Sequence, residues 1–238
     1  MSGRAPGAAF LALWNGVSES ARHEYETWHA IEHVPERTAF PGFIETWRYR
    51  AAARGAGYFS CYWLAHTDTL GTPQYRDVLS NPSAWSARMR SLLTDMVRMP
   101  CSGVGAAGES LGAHTLVLRL RRSNSAQDTL DRILSLCLER DGIVAAHWGT
   151  AALAEDHPLA SAVADSNAVA MLHGTDPAGL ARVQELLSAT FLTQDIAVND
   201  AGRFDLIQVV RHADVATPDG ARRRPRDDLM RRYSSKDE

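Results

Sequence analysis

The sequence predicts an α+β chain made of two β-α-β-β-α-β units in tandem. Segments that read as strands and helices occur twice in the same order. Pro41-Gly42-Phe43-Ile44, then Trp47 and Ala51-Ala52, align without a gap on Asp141-Gly142-Ile143-Val144, His147 and Ala151-Ala152. Thr67-Asp68 and Thr175-Asp176 mark the same point before each second helical region. That order is the split βαβ arrangement.

In the first unit, Ala9 to Trp14 is a short apolar strand, and a helix carrying Tyr25 to Glu36 follows. Gly42 to Arg50 and Tyr58 to Ala65 are aromatic-rich strands, with Arg54 to Gly57 as the hairpin signal between them. Asn81-Pro82 supplies a cap and first-turn pair for a second helix, with Trp85, Met89, Leu92, Leu93 and Met96 at core spacing. Val97 to Val104 is a weakly marked fourth strand, and the small residues of Cys101 to Gly112 read as a flexible linker. In the second unit, Thr115 to Leu120 is a strand. Ser125 to Arg140 is a helix that turns Leu130, Ile133, Leu134, Cys137 and Leu138 inward. Gly142 to Ala152 and Ala168 to His173 are central strands, Pro177 to Leu187 a helix, and Arg203 to Val210 the last strand. The expected divisions are 1–108, 109–212 and a charged tail, 213–238. The tail lacks apolar periodicity and reads as an exposed mobile arm, or as an ordered arm across a partner subunit anchored by Leu229, Met230 and Tyr233.

Composition excludes several classes. The 238 residues are 45% hydrophobic and 22% charged, ordinary for a globular protein. No apolar run approaches the roughly 20 residues that cross a bilayer, and the start lacks the core of a signal peptide. A net charge of -3 gives no reason to expect nucleic acid. Cys61, Cys101 and Cys137 have neither disulfide-framework nor zinc-knuckle spacing. The expectation is a cytoplasmic protein with a small-molecule partner, without a membrane or nucleic-acid partner, and with a homodimer as its assembly.

One segment departs from the usual division of a helix into apolar and ionisable faces. At helical spacing Tyr25, Trp28, His29, Glu32, His33 and Glu36 share a sector of about 140°. Buried ionisable groups cost several kcal/mol unless paired, so the stripe predicts a helix that lines a cavity. His29-Ala30-Ile31-Glu32-His33 also has the H-x-x-E-H spacing of inverted zinc peptidases. Pro35 should break the helix just afterwards and no third ligand is evident, so no metal is expected.

Trp28-His29, Glu32-His33-Val34-Pro35-Glu36-Arg37, Pro41-Gly42-Phe43, Arg48-Tyr49, Tyr58-Phe59 and Tyr62 together resemble the dimeric α/β-barrel superfamily, in particular EthD-like proteins. Asn81-Pro82, Trp85 and Arg88-Met89 resemble a bacterial branch of that group. The motifs cover the first half; the second matches through strand order alone. The resemblance implies two ferredoxin-like units whose sheets close one barrel within the chain. The superfamily includes isomerases, cyclases, monooxygenases and, in tandem form, chlorite-dismutase-like haem proteins, so fold leaves the chemistry open.

The residues then suggest a cofactor-independent lyase or isomerase acting on a small aromatic or lactone-like substrate. His33 would move a proton, assisted by His29 and Glu32. Tyr49 or Tyr62 would stabilise an oxyanion. Trp28, Trp47 and Trp85, with Trp63, would form the apolar wall, and Arg88 would hold a carboxylate. Two alternatives stand beside this reading. One is a haem-dependent enzyme using His147 or His173 as axial ligand. The other is a non-catalytic small-molecule binding protein. The second unit's helix, Ser125 to Arg140, lacks an acid-base stripe, so a single pocket per chain is expected within residues 8–100.

Overall fold

The computed structural model describes residues 3–53, 57–152 and 165–234. The predicted turn residues Arg54 to Ala56 lie outside them. The first half runs β1 (Ala9–Val17), α1 (Arg22–Trp28), a π-helical turn (His29–His33), α2 (Val34–Thr38), β2 (Phe43–Ala51), β3 (Tyr58–Leu64), α3 (Pro73–Ser80), α4 (Ala84–Arg90) and β4 (Leu93–Gly108). The second runs β5 (His114–Arg122), α5 (Gln127–Leu136), β6 (Ile143–Ala151), β7 (Ala168–Gly174), α6 (Pro177–Phe191) and β8 (Ile196–Arg211), followed by α7 (His212–Val215) and α8 (Asp227–Ser234).

The eight strands among the described residues pair antiparallel in one closed barrel, in the ring order β1-β3-β2-β8-β5-β7-β6-β4. Closure removes every exposed strand edge. The first half contributes β4-β1-β3-β2 and the second β8-β5-β7-β6, the same relative order. Gly42 and Gly142, aligned in the sequence, have φ of 88° and 81° and stand directly before β2 and β6. That left-handed conformation favours glycine at both turns. Trp47 and His147, aligned as well, meet inside the barrel with ring centroids 5.3 Å apart.

Strand alternation separates two environments. Phe10, Trp47, Tyr49, Phe59, Cys61, Trp63 and Met171 belong to a buried cluster of strand residues from both halves, the barrel interior. Leu11, Tyr62 and Leu64 face the opposite side, against the helical layer of the first half. On the second half, Leu130 and Leu134 of α5 and Leu180, Val183 and Phe191 of α6 pack onto Leu116, Leu118, Trp148 and Leu172.

Three expectations require correction. α3 precedes the predicted helix, and α4 is capped by Ser83, whose hydroxyl accepts from the Ser86 N–H at 3.0 Å, instead of by Asn81-Pro82. The predicted linker is mostly strand: residues up to Gly108 pair with β6. Its small residues serve close approach, since a Cβ on Gly105 would lie 2.2 Å from the Trp148 ring. The tail is ordered through α8 and folds onto its own chain. Leu229 is buried against Trp28 and Trp85, and the Tyr233 hydroxyl lies 2.7 Å from Thr27 Oγ1. Among the described residues no helix is long and apolar enough to cross a membrane.

Candidate active site

Pro35 shapes the local structure of the site. It has no N–H to return to the Ile31 carbonyl, so a regular α-helix cannot pass through it unchanged. The chain widens instead of breaking: the Val34 N–H donates to the His29 carbonyl five residues back, and a new helical segment starts with Pro35 in its first turn. In an α-helix a step of four residues overshoots a turn by about 40°, so residues four apart drift round the surface. The wider π turn offsets that drift. Tyr25, His29, His33 and Arg37, each four apart, therefore face one cavity of about 240 Å³, together with Trp28.

Leu11, Leu13 and Asn15 of β1 and Tyr62 of β3 form the sheet side of this cavity, and Tyr75, Leu79, Arg90, Met96 and Arg98 border it elsewhere. His29 and His33 stack with centroids 5.0 Å apart and planes 26° apart, and Trp28 lies 4.5 Å from His33. Burial pushes both imidazoles well below the ordinary histidine range; Arg48 is the next cause for His29, and Arg37 for His33. Both rings are therefore neutral near pH 7. Neither Nδ1 finds a hydrogen-bond partner among the described residues, and neither does the Tyr62 hydroxyl. Burial holds that phenol protonated, with its pKa raised. The Tyr25 hydroxyl donates to Asn15 Oδ1 at 3.1 Å, and its pKa is pushed up to about 12 by burial.

The other predicted residues lie elsewhere. Glu32 faces away from the cavity: its carboxylate accepts from the Ser83 hydroxyl and from the Arg226 N–H, each at 2.6 Å. Glu36 is buried between Arg37 and Arg222. Strand alternation sends Tyr49, Trp47 and Trp63 into the barrel interior, away from Tyr62. Trp85 is buried beneath α8, and its indole N–H donates to Glu24 at 2.9 Å. Arg88 pairs with the same carboxylate at 3.0 Å. Of the nine residues predicted for the site, His29, His33, Trp28 and Tyr62 line the cavity. Reading the helix as purely α missed Arg37, which continues the spacing of four beyond His33. Arg90 and Arg98, which also line the cavity, carried no sequence signal.

No protein-family model and no curated protein matches the chain. Solved structures do. An anthrone oxidase-like protein superposes with a TM-score of 0.67 at 8% identity, covering 89% of this chain and 96% of its own. A chlorite dismutase from Candidatus Nitrospira defluvii gives 0.53 at 7% identity, with 86% and 92% covered. A heme-binding protein from Thermus thermophilus gives 0.50 at 10% identity, with 84% and 91% covered. At these identities the shared property is the fold, and nothing of the chemistry follows from it alone.

The expectation of a cofactor-independent lyase or isomerase is corrected on two grounds. The structural neighbours are named for oxidation, chlorite dismutation and heme binding, so the haem-dependent alternative fits them better. The acid-base set behind the expectation is also not assembled, because Glu32 and Tyr49 face away from His33's cavity. The two histidines suggested as axial ligands do not fit haem. His147 and His173 lie edge-on to each other and to Trp47 in the barrel interior, and the Thr115 hydroxyl is 3.0 Å from His173 Nδ1. His29 and His33 are the right donor type, but their cavity of about 240 Å³ is below the roughly 300–1,000 Å³ of drug-sized ligand sites.

Proposed function

We propose that the first-half cavity is the active site of an oxidative enzyme that takes a small, flat, phenolic or anthrone-like aromatic compound. The carrying observation is the pair of neutral, stacked imidazoles presented by the π turn to an apolar cavity. A neutral imidazole can accept a proton, and the arginines around it favour the anion left behind. His33 is the base in this reading and His29 the ring that supports its orientation. The Tyr62 hydroxyl is free to donate to an oxygen of the substrate. The reaction balances with dioxygen alone: a ring methylene becomes a carbonyl, one oxygen atom entering the product and the other leaving as water with the two hydrogens. The fold shared with an anthrone oxidase-like protein supports the reading. An oxygen electrode tests it with anthrone itself: uptake of one dioxygen per anthrone, lost in His33→Phe, is expected. Uptake no faster than in buffer would sink it.

Haem dependence is the second reading, favoured by the fold shared with a heme-binding protein. In it the cavity would have to widen beyond its present volume of about 240 Å³, His29 or His33 would be the donor that holds the haem, and the haem would supply the redox chemistry. A Soret band on adding haem, lost in the double variant His29→Phe/His33→Phe, supports this reading; its absence removes it. We further assign each half of the chain to a ferredoxin-like unit, on the repeated ring order of strands, and the first half to the EthD-like branch. Binding should saturate at one equivalent per chain, and a homodimer is the assembly expected in light scattering.

A further inference from the structure

The charges around the cavity are one-sided. Arg37, Arg90 and Arg98 line it, and no aspartate or glutamate does so among the described residues. Glu36 answers Arg37 but is shared with Arg222, and Glu32 is turned toward Ser83 and Arg226. Arg90 spends its two Nη groups on the backbone carbonyls of Leu79 and Val78, which are neutral partners. Its pKa is lowered by burial and by the neighbouring Arg37.

Arg48 is the extreme case. It is 3% exposed, its guanidinium lies over the Tyr25 and Tyr58 rings at 5.5 and 5.4 Å, and its Nε and Nη2 find no acceptor among the described residues. The Nε of Arg98 is likewise buried without a partner. Ring faces offset only part of the cost of taking a guanidinium out of water. Arg98, unlike Arg48, lines the cavity itself, so its unpartnered Nε is within reach of what binds there. Arg98 also borders a second depression, beside Thr67, Asp68 and Pro100, and so stands where the cavity meets the surface.

We propose that the cavity binds its aromatic ligand as an oxyanion, the ionised form of an acidic phenol or enol, whose charge is answered by Arg98 at the cavity wall. This rests on reading the cavity as a substrate site, but not on the oxidation. The neutral imidazoles suit it, because they add no negative charge beside the anion while the phenol's proton leaves to solvent.

The test uses 4-nitrophenol, whose phenolate is read by its visible absorbance. The bound probe should ionise at least about one pH unit below the free probe, equivalent to a tenfold preference for the phenolate. 4-Nitroanisole, of the same shape but without the acidic hydroxyl, should bind at least tenfold more weakly at pH 8. Arg98→Gln, at a half-buried position, should fold and abolish both differences. An unshifted or raised ionisation, or equal binding of the two probes, would overturn the proposal. Oxygen uptake is not involved, so failure of the oxidation reading shows separately.

Discussion

The two helical layers of this barrel cover equivalent sheets in different ways. Over the second half, α5 and α6 close their leucines, valine and phenylalanine onto the sheet, where they pack with Cys137, Ile143 and Trp148. Over the first half, α1, the π turn and α2 bring tyrosine, tryptophan, two imidazoles and arginine to the same place and leave a cavity. Apolar side chains interdigitate to close packing, whereas imidazoles and guanidinium groups must keep room for partners. One layer presents an apolar stripe to the sheet and the other presents polar rings and a guanidinium around a cavity.

The strongest way to break this comparison is to hollow the filled side. Leu134 is fully buried in the second-half core. Leu134→Ala should cost about 2–5 kcal/mol in urea unfolding, with ligand binding per folded molecule unchanged. A cost under about 1 kcal/mol would mean that the second layer is not the structural half.

The next prediction fills the hollow side. His33→Phe replaces one ring by another of similar size, so stability should move by less than about 1.5 kcal/mol. Anthrone-dependent oxygen uptake should fall by about 100-fold or more, the usual contribution of a general base. Equal loss of stability and activity would indicate that His33 is a packing residue.

Most of the barrel was legible in the sequence because its signals are local. Short apolar and aromatic runs marked the strands, and the aligned Gly42 and Gly142 stand at matching turns with positive φ. Legibility failed where a distant residue decides. Gly103, Gly105 and Ala106 read as a linker, but Gly105 is small because Trp148, 43 positions away in sequence, lies against it. The tail reads as solvated, yet Arg222 pairs with Glu36 and the Arg226 backbone N–H donates to Glu32, both on the histidine-bearing segment. For the site, the stripe was found but its phase was wrong. One π turn carried Glu32 and Glu36 off the histidine face and brought Arg37 onto it. Tyr49 and Tyr62, both expected as oxyanion donors, stand on opposite faces of the sheet, which strand alternation alone decides.

Both halves also bury imidazole pairs, and pH sharpens that comparison. His29 and His33 at the cavity, and His173 in the barrel interior, have pKa values well below the ordinary range, and His147 sits at about 4; burial is the first cause in each. The unfolded chain takes up these protons first. Stability is therefore full above about pH 6.5 and falls as pH drops from there toward the depressed folded values, by up to about 1.4 kcal/mol per pH unit for each imidazole. Urea unfolding between pH 7.5 and 5 should show this acid limb, and His33→Phe and His147→Phe should each flatten it. A limb unchanged in both variants would place its origin in other groups.

The smallest expected effect concerns the arm, which gives the first-half layer a cover. Tyr233 joins α8 to α1 through its hydroxyl contact with Thr27, and its ring lies 6.0 Å from Trp85 and 5.6 Å from His23. Tyr233→Phe keeps the ring contacts and removes one partly exposed hydrogen bond, a loss of about 0.5–1 kcal/mol. The effect stays small because the Arg222–Glu36 pair and the Arg226 N–H to Glu32 tether the arm independently. Amide exchange should speed up modestly in α8 and at the start of α1, and stay unchanged in α5 and α6, which the arm's tethers do not reach. A loss above about 2 kcal/mol, or faster exchange across the second half, would show that arm and barrel unfold as one unit, and the contrast between the two layers would then not extend to their stability.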